Sequence, residues 1–457
     1  MGHGLHGDIR LVRRGARILD DMVRSGCVVV RKMSGDRAGE IAAHRFLGSP
    51  QVTPEAIVSD FSRRTAQACR GRFIVAAQDT TEINFSGADR DRPGLGLAGD
   101  GKSLGFFLHP VVAIDAADEA VLGVAGARIW TRGMDKVKER QKRRFEDKES
   151  ERWLEGAQTA ATVLAPAARI VVVGDRESDI YQIFTRKPAN IDLIVRARGD
   201  RKLVDGGLLF ETGAELTPAV EMNVKVAPRQ PRIPGDIGRI ARVAVSFGQV
   251  TIAKPKTGRA TPDAKQVTLH LVVAREIGEP SPGLTGGSGP PVLWRLLTTM
   301  PVETIEDALE IIRLYRLRWR IEQVFRVLKQ DGLALEKTQV EQASSLFNLA
   351  ALALGAAARI IQLTDARDAS PRPAADVIDA SLIEAAEAIG KTLEGKTERQ
   401  KNSHAHGSLS RLAWITARLG GWNCYYKPPG PKTMAEGWRR LADMLKGYAI
   451  AQRKSLL

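Results

Sequence analysis

The sequence contains few cysteines, and neither they nor its histidines are spaced as metal ligands usually are. Among 457 residues there are three cysteines, Cys27, Cys69 and Cys424, and seven histidines. Cysteines so far apart exclude a small disulfide-stabilised secreted fold, and without a CxxC pair they do not indicate a zinc site. We therefore expect the protein to work in a reducing, cytoplasmic environment.

The sequence also lacks a long uninterrupted hydrophobic run. Its first residues, MGHGLHGDIRLVRR, have no apolar core of the kind that a signal peptide needs. Its most apolar stretch, LFNLAALALGAAARIIQL at 346–363, is interrupted by Asn348 and Arg359. Since a membrane span needs about 20 predominantly apolar residues, we expect this stretch to be a buried helix and the chain to have no membrane segment.

Basic residues are in excess along the whole chain. Lysine and arginine number 68 against 53 aspartates and glutamates, which gives a formal net charge of +15. A basic balance that is not confined to a tail favours a polyanionic partner, most commonly a nucleic acid. The charge alone does not say which nucleic acid.

Changes in residue pattern divide the chain into three regions. Residues 1–70 are rich in arginine and helical in pattern, 71–365 alternate extended and helical runs, and 366–457 are again helical. Within the middle region, hydrophobic residues at about 200–299 recur with a period of two, which predicts an all-β insertion. We therefore expect an α/β protein whose mixed-sheet core carries this insertion between N-terminal and C-terminal helical regions.

Two aspartates follow apolar strand patterns. The run RFIVAAQD ends at Asp79, and the run RIVVVGD ends at Asp175. Side chains at the carboxyl ends of buried strands are where α/β sheets place their chemistry. Taken alone, each aspartate is more often an ordinary turn or cap residue.

A predicted helix presents four polar residues on one strip. In LYRLRWRIEQVFRVLKQDG, residues Tyr315, Arg318, Glu322 and Lys329 lie within roughly 60° of one another at 100° per residue. The apolar residues fall in an arc of about 100° on a different face, which should pack on the core. Thr304, with an aspartate three residues on, predicts the N-cap of one long helix. In an arbitrary helix, such a strip is usually a solvated charged face.

Asp79, Asp175 and Glu322 would form a metal site if this helix packs on the sheet. Three converging carboxylates repel one another, and binding of hard cations through oxygen is the main reason to keep them together. We therefore predict that these three residues are catalytic and hold two Mg2+ ions about 4 Å apart, with Mn2+ as a substitute. The other three residues of the strip would hold the phosphates of the DNA strand being cut.

The segment GLAGDGKS, Gly96 to Ser103, satisfies the pattern of a phosphate-binding loop. Such a loop needs a strand before it and a helix that opens at the lysine, because backbone amides at the helix start cradle the phosphates. Here a polar loop precedes the segment, and a strand pattern, FFLHPVVAID, follows it. We therefore expect a glycine-rich hairpin connection and no bound nucleotide.

These motifs together resemble the DDE transposases of bacterial insertion sequences. Asp79 lies in QDTTEINFSG, Asp175 lies in GDRESDIY, and the helix carries the spacing Y-x2-R-x3-E-x6-K. That signature is typical of the branch represented by the transposase of the composite kanamycin-resistance transposon. Further similar segments run nearly end to end: HRFLGSPQVTPEAI, KESERW, WRLLTT and ARLGGW.

The resemblance implies a ribonuclease-H-like catalytic core at 71–365, a DNA-end-binding domain at 1–70 and a dimerisation region at 366–457. It also implies cut-and-paste transposition through a DNA hairpin, in the bacterial cytoplasm at the nucleoid. Double-stranded DNA, as transposon terminal repeats and as target, would be the partner of a homodimer in which each subunit cuts the end held by the other. A non-catalytic or domesticated DNA-binding protein derived from such an element is the alternative.

The resemblance also bears on two tryptophans. Trp294 would stack on a base flipped out during hairpin formation, because an aromatic face recovers part of the cost of unstacking. By default, a tryptophan at the end of a β segment belongs to the core. Trp319 lies beside the polar strip, where it either braces the DNA or covers apolar surface.

The last predicted helix, Glu436 to Arg453, carries one apolar stripe. The stripe either folds back on the protein or pairs with a second copy, and the resemblance favours a pair that forms mainly on end DNA. Five residues form it: Trp438, Leu441, Met444, Leu445 and Tyr448.

Overall fold

The computed structural model describes residues 8–85, 92–133, 148–226, 239–256, 262–278, 291–330, 333–368, 372–425 and 427–454. One mixed sheet lies at the centre, with a helical layer and its own hydrophobic core on each face. The predicted α/β class is therefore confirmed.

The first part of the sheet is a five-strand core with two neighbouring short strands. Its order is β5-β4-β1-β6-β7, with β1 antiparallel to β4 and parallel to β6. Such a mixed sheet with helices is consistent with a ribonuclease-H-like core. The strands are β1 (Phe73–Gln78), β2 (Thr81–Asn84), β3 (Gly96–Leu97), β4 (Leu104–Asp115), β5 (Val121–Trp130), β6 (Arg169–Gly174) and β7 (Asp192–Arg196).

The segment with a period of two extends this same sheet. It contributes β8 (Val220–Val226), β9 (Arg239–Ala253), β10 (Gln266–Glu276) and β11 (Leu293–Thr298), and β11 pairs antiparallel with β7. The expectation of an all-β insertion is wrong in one respect, because the segment also contains a short helix, Leu209–Glu215. Burial of Leu209, and a hydrogen bond from the Phe210 amide to the Asp200 carboxylate, stabilise that turn of helix.

Helices form the layers around the sheet and the two ends of the chain. The N-terminal helices pack on the long helix α10, and Thr304 begins α8 with the predicted capping box. The limits of the three predicted domains stay predictions. The helices are α1 (Ile9–Ser25), α2 (Val30–Ser34), α3 (Arg37–Leu47), α4 (Pro54–Ala68), α5 (Arg152–Val163), α6 (Tyr181–Thr185), α7 (Leu209–Glu215), α8 (Ile305–Arg316), α9 (Trp319–Lys329), α10 (Ala343–Asp365), α11 (Ile383–Leu393), α12 (Leu409–Leu419) and α13 (Pro431–Lys454).

The most apolar stretch of the sequence forms α10, a core helix. In the described part of the chain, α10 is the one helix long and apolar enough to cross a membrane, and 78% of that stretch is buried inside the protein. Its Asn348 side chain donates hydrogen bonds of 2.9 Å to the carbonyl oxygens of Leu47 and Val52. The prediction of a buried helix is therefore confirmed, and the polar residue that interrupts the stretch holds the N-terminal helices in place.

The helix that carries the polar strip is interrupted, contrary to prediction. Helix α8 ends at Arg316 and α9 begins at Trp319. Between them, the amides of Leu317 and Arg318 bond to carbonyl oxygens three residues back, which tightens the turn. The helix is interrupted by a tertiary contact, because the Arg318 side chain points inward and donates a hydrogen bond to Asp79.

The final helix, α13, folds back on the chain and packs against α1, α10 and α12. Three residues of its predicted stripe, Trp438, Leu441 and Leu445, are at most 5% exposed. The other two, Met444 and Tyr448, are 48% and 42% exposed. Folding back therefore uses part of the stripe and leaves part of it accessible.

Candidate active site

Asp79 lies at a gap between two strands that share one register. The partners of β1 and β2 on β4 follow a single alignment, in which Gln78 faces Val111 and Thr81 faces Leu108. The same alignment places Pro110 opposite Asp79, and proline has no N–H to donate to a ladder. The gap therefore frees Asp79 from strand pairing at the carboxyl end of β1.

Asp175 lies at the matching position of the next strand. Partners in the parallel pair of β1 and β6 differ by 96 residues, from Phe73 with Arg169 to Ala77 with Val173. Asp79 and Asp175 also differ by 96 residues. Because paired strands lie about 4.8 Å apart, the continued register sets these aspartates side by side at one edge of the sheet.

Glu322 approaches the same edge from the first turn of α9. Its Oε1 lies 3.6 Å from Nη1 of Arg318, and the same nitrogen donates a 2.6 Å hydrogen bond to Oδ2 of Asp79. Because both distances start at the same nitrogen, these two carboxylate oxygens are no more than about 6.2 Å apart. The structure thus brings together Asp79, Asp175, Arg318 and Glu322, which come from three separate segments, since Arg318 and Glu322 both lie at the start of α9.

The electrostatics of the cluster show that the one cation does not offset the combined effect on Asp79 of its burial and of its carboxylate neighbours. Burial, the largest cause, raises the pKa of Asp79 to about 7; Arg318 opposes the rise, while Asp175 and Glu322 add to it. Burial by itself lowers the pKa of Arg318, but Asp79, Tyr315 and Glu322 raise it by more. Arg318 therefore stays charged, and Asp79 would gain from a further positive charge.

This donor set fits a divalent cation that prefers oxygen. Mg2+ binds carboxylate oxygens and takes waters and substrate phosphate as its remaining ligands. Here three carboxylates meet beside a single arginine. Within the described ranges, no group of three or more His, Cys, Asp or Glu side chains already has the arrangement of a metal centre. Arg318 lies between Asp79 and Glu322, so its guanidinium and a cation would compete for the same oxygens.

The predicted phosphate-binding strip is not one exposed surface. Tyr315 is 3% exposed and Arg318 is 7% exposed, so neither faces solvent as a straight helix would have placed it. Lys329 is partly exposed, and its Nζ donates a 2.8 Å hydrogen bond to the carbonyl oxygen of Glu82, a residue of β2. Only Glu322 and Lys329 of the four are presented to an approaching strand.

The two predicted DNA-contacting tryptophans differ in environment. Trp294 is the second residue of β11 and is partly buried, and its ring centroid lies 5.8 Å from that of Tyr315 in an edge-to-face contact. Trp319 is 56% exposed, and the Arg318 guanidinium lies 5.0 Å from its ring centroid. Trp319 therefore offers an open aromatic face beside the carboxylates, whereas Trp294 is held against the turn between α8 and α9.

The glycine-rich segment Gly96 to Ser103 forms a hairpin, as predicted. It connects β3 to β4, which pair antiparallel, and no helix opens at Lys102. The Asp100 carboxylate accepts hydrogen bonds from the amides of Lys102 and Ser103. In a phosphate-binding loop such amides would donate to the phosphate, but here they donate to the Asp100 carboxylate.

Sequence reasoning missed Arg152, which is buried behind the two aspartates. It begins α5, and its guanidinium bonds to Thr80 and to Glu177, which lie next to Asp79 and near Asp175. Its one signal in the sequence was its place in KESERW, where it stands among charged residues typical of a solvated helix start.

Residues 131–358 match the family model described as the transposase DDE domain. The match includes Asp175 and Glu322 and begins after Asp79, so the place of Asp79 in the site depends on the sheet register and on Arg318. The match supports a DDE-type transposase, a class of nucleases and strand transferases that act on DNA.

Proposed function

We propose that this chain, which carries a transposase DDE domain, is a cut-and-paste transposase of the branch with the Y-R-E-K signature. It binds the terminal repeats of its element, cuts them free and joins them to target DNA. The observation that carries this proposal is the meeting of Asp79, Asp175 and Glu322 at one edge of the sheet, with the two aspartates in matching register.

Asp79, Asp175 and Glu322 would hold two Mg2+ ions, for which Mn2+ can substitute. When bound, these ions supply the activation of a water or a 3′ hydroxyl and the stabilisation of the leaving oxygen in an in-line displacement. The half-exposed Glu322 lets the site open toward a DNA strand, while the Asp79 side chain is mostly buried.

Basic and aromatic residues around the carboxylates would position the DNA. Lys329 contacts phosphate next to the cut, and Arg318 does so once it leaves Asp79. Trp319 stacks against the strand with its open face. Tyr315 is buried, so in place of the predicted phosphate contact it supports the ring of Trp294, which receives a flipped base during hairpin formation. The net charge of +15 would draw the duplex in.

A cleavage assay tests this function. The protein is incubated with labelled duplex that ends in the inverted repeats flanking its coding region, with Mg2+ and no nucleotide. We expect a nick at the transposon end, followed by a hairpin product that runs at twice the strand length on a denaturing gel. Glu322→Gln removes a ligand charge without changing shape, so it should abolish both products and keep DNA binding.

The matched control is Glu310→Gln, because Glu310 pairs with Arg313 on the surface of α8. This variant should cut at the wild-type rate. DNA binding by the wild type without any cutting would support the alternative, a non-catalytic DNA-binding protein. Cutting by Glu322→Gln in Mg2+ would contradict the role of Glu322.

We also propose that a homodimer assembles on end DNA and that each subunit cuts the end held by the other. The exposed Met444 and Tyr448 of α13 offer an apolar contact for a second copy, and positive charge keeps free copies apart until phosphates neutralise it. The mass measured by light scattering should show two protein copies per complex with terminal-repeat DNA and one copy without it. A complex with one protein per DNA that cuts at the normal rate would contradict it.

A further inference from the structure

Arg152 is a buried arginine whose three donor groups all have partners. Its side chain is 10% exposed. Nε donates to Oγ1 of Thr80 at 2.9 Å, Nη1 donates to the carbonyl oxygen of Glu149 at 2.8 Å, and Nη2 donates to Oε2 of Glu177 at 2.6 Å. A guanidinium held at three points has its position fixed far better than a surface ion pair.

The first of these bonds leads directly to Asp79. The Thr80 amide donates a 2.8 Å hydrogen bond to Oδ1 of Asp79, while the Thr80 side chain points to the opposite face of the sheet. There its hydroxyl accepts from Arg152 and also contacts Nδ1 of His109 at 2.9 Å. Arg152 therefore fixes the residue whose backbone orients the Asp79 carboxylate.

The bond to Glu177 leads to Asp175 in the same way. The Glu177 amide donates a 2.8 Å hydrogen bond to Oδ1 of Asp175, and the Glu177 carboxylate accepts from Arg152. One guanidinium thus holds both residues whose amides bond the two aspartates. Arg318 contacts Asp79 itself from the other face of the sheet, so the two arginines have different tasks.

We propose that Arg152 is a positioning residue, which sets the spacing and orientation of Asp79 and Asp175 through Thr80 and Glu177. The proposal rests on the proposed function, because the spacing matters to a cation that both carboxylates share. Partners behind metal ligands typically change metal affinity or activity by 10–100-fold when they are removed. Arg152 touches neither carboxylate, and it acts through the two amides.

The test compares Arg152→Gln and Arg152→Lys with a matched control, Arg128→Gln. Arg128 forms a half-exposed ion pair with Glu155 of α5. Like Arg152, it lies near the Trp130 ring, but it does not bond Thr80 or Glu177. Binding of Mn2+ alone is measured by the loss of the free-ion signal in electron paramagnetic resonance. Binding and cleavage of terminal-repeat DNA are measured on the same samples.

We expect Arg152→Gln to weaken Mn2+ binding by about tenfold and to slow cleavage by about a hundredfold. DNA binding should stay within about twofold. Arg152→Lys keeps the charge but not the three-point hold, so it should recover part of the Mn2+ affinity. The control should match the wild type. Wild-type Mn2+ affinity and cleavage in a folded Arg152→Gln would overturn the positioning role and leave the proposed function intact.

Two further variants, each of which affects one hydrogen bond of Arg152, keep the test decisive if Arg152→Gln does not fold. Thr80→Val removes the acceptor near Asp79, and Glu177→Gln weakens the bond near Asp175. Each should weaken Mn2+ binding by several-fold, and wild-type values for both would overturn the proposal. A wild-type protein that neither binds Mn2+ nor cuts terminal-repeat DNA would overturn this proposal together with the proposed function.

Discussion

Arg318 donates a 2.6 Å hydrogen bond to Asp79, a residue 239 positions earlier in the chain. Both side chains are mostly buried, and the guanidinium also faces Glu322. A fixed cation therefore lies where the proposed function requires a metal ion. Competition between the Arg318 guanidinium and the proposed metal ion for the same carboxylates gives the first prediction.

Arg318→Gln should make Mn2+ bind roughly tenfold more tightly in the absence of DNA, because the carboxylates lose the charge that opposes their repulsion. Cleavage should nevertheless fall, since a phosphate contact is lost. Arg316→Gln is the control, because Arg316 is exposed two residues away. Titration of Mn2+ followed by electron paramagnetic resonance measures the affinity, and unchanged or weaker binding by Arg318→Gln would contradict competition.

Lys329→Ala should weaken binding to terminal-repeat DNA and lower the slope of log K against log salt by about one. The reason is that one phosphate contact releases about one counterion. Lys391→Ala, an exposed change on α11, should leave the slope unchanged. Fluorescence anisotropy at several salt concentrations gives both slopes, and equal slopes would return Lys329 to a purely structural role with Glu82.

Gly437→Ala should destabilise the protein by about 1–3 kcal/mol, because overpacking forces backbone apart. A Cβ there would lie 1.6 Å from the Thr416 carbonyl oxygen, at the crossing of α12 and α13. Gly447→Ala, on the same helix, meets nothing within 4 Å and should stabilise by about 0.5–1 kcal/mol. Urea unfolding distinguishes them, and a similar shift for both would show that α13 does not dock as described.

His109→Gln should remove part of the loss of stability in mild acid. Burial, with Arg152 and Arg128 adding to it, holds the pKa of His109 well below its usual 6.5. Below about pH 6.5 the unfolded chain therefore binds a proton that the folded chain does not, so stability falls by up to about 1.4 kcal/mol per pH unit from this group. The stability that comes from keeping His109 neutral is fully present above pH 6.5 and is lost as the pH falls below it.

The measurement is the urea midpoint at pH 7.5 and at pH 5.5. His109→Gln should show a smaller drop between the two than the wild type. His44→Gln, an exposed change on α3, should show the wild-type drop. An equal drop in all three proteins would mean that His109 accepts a proton in the folded state.

The strands of the core could be predicted from the sequence because they are nearly continuous apolar runs, which a sheet buried on both faces requires. Asp79 and Asp175 could be predicted at strand ends for the same reason. Their matching register could not, because the alignment of parallel strands depends on how the connections between them pack. The short helix at Leu209–Glu215 was missed because its stability comes from tertiary burial.

The break between α8 and α9 could not be predicted either. Every residue from Leu314 to Lys329 is acceptable in a helix, so local propensity favours one continuous element. The turn at Leu317 and Arg318 follows from the hydrogen bond of Arg318 to Asp79, which lies 239 residues earlier in the chain. Arg152 was missed for a similar reason, since its partners lie 72 and 25 residues away.

The distance along the chain between Asp79 and Arg318 also has a consequence during synthesis. Ribosomes add about 5–20 residues per second, so the 239 residues between them take about 10–50 s to make. Throughout that interval, the carboxylate cluster is incomplete because Arg318 and Glu322 have not been made, and the N-terminal helices lack α10, on which they pack. Under the proposed function, cutting is therefore confined to chains whose translation has passed α9.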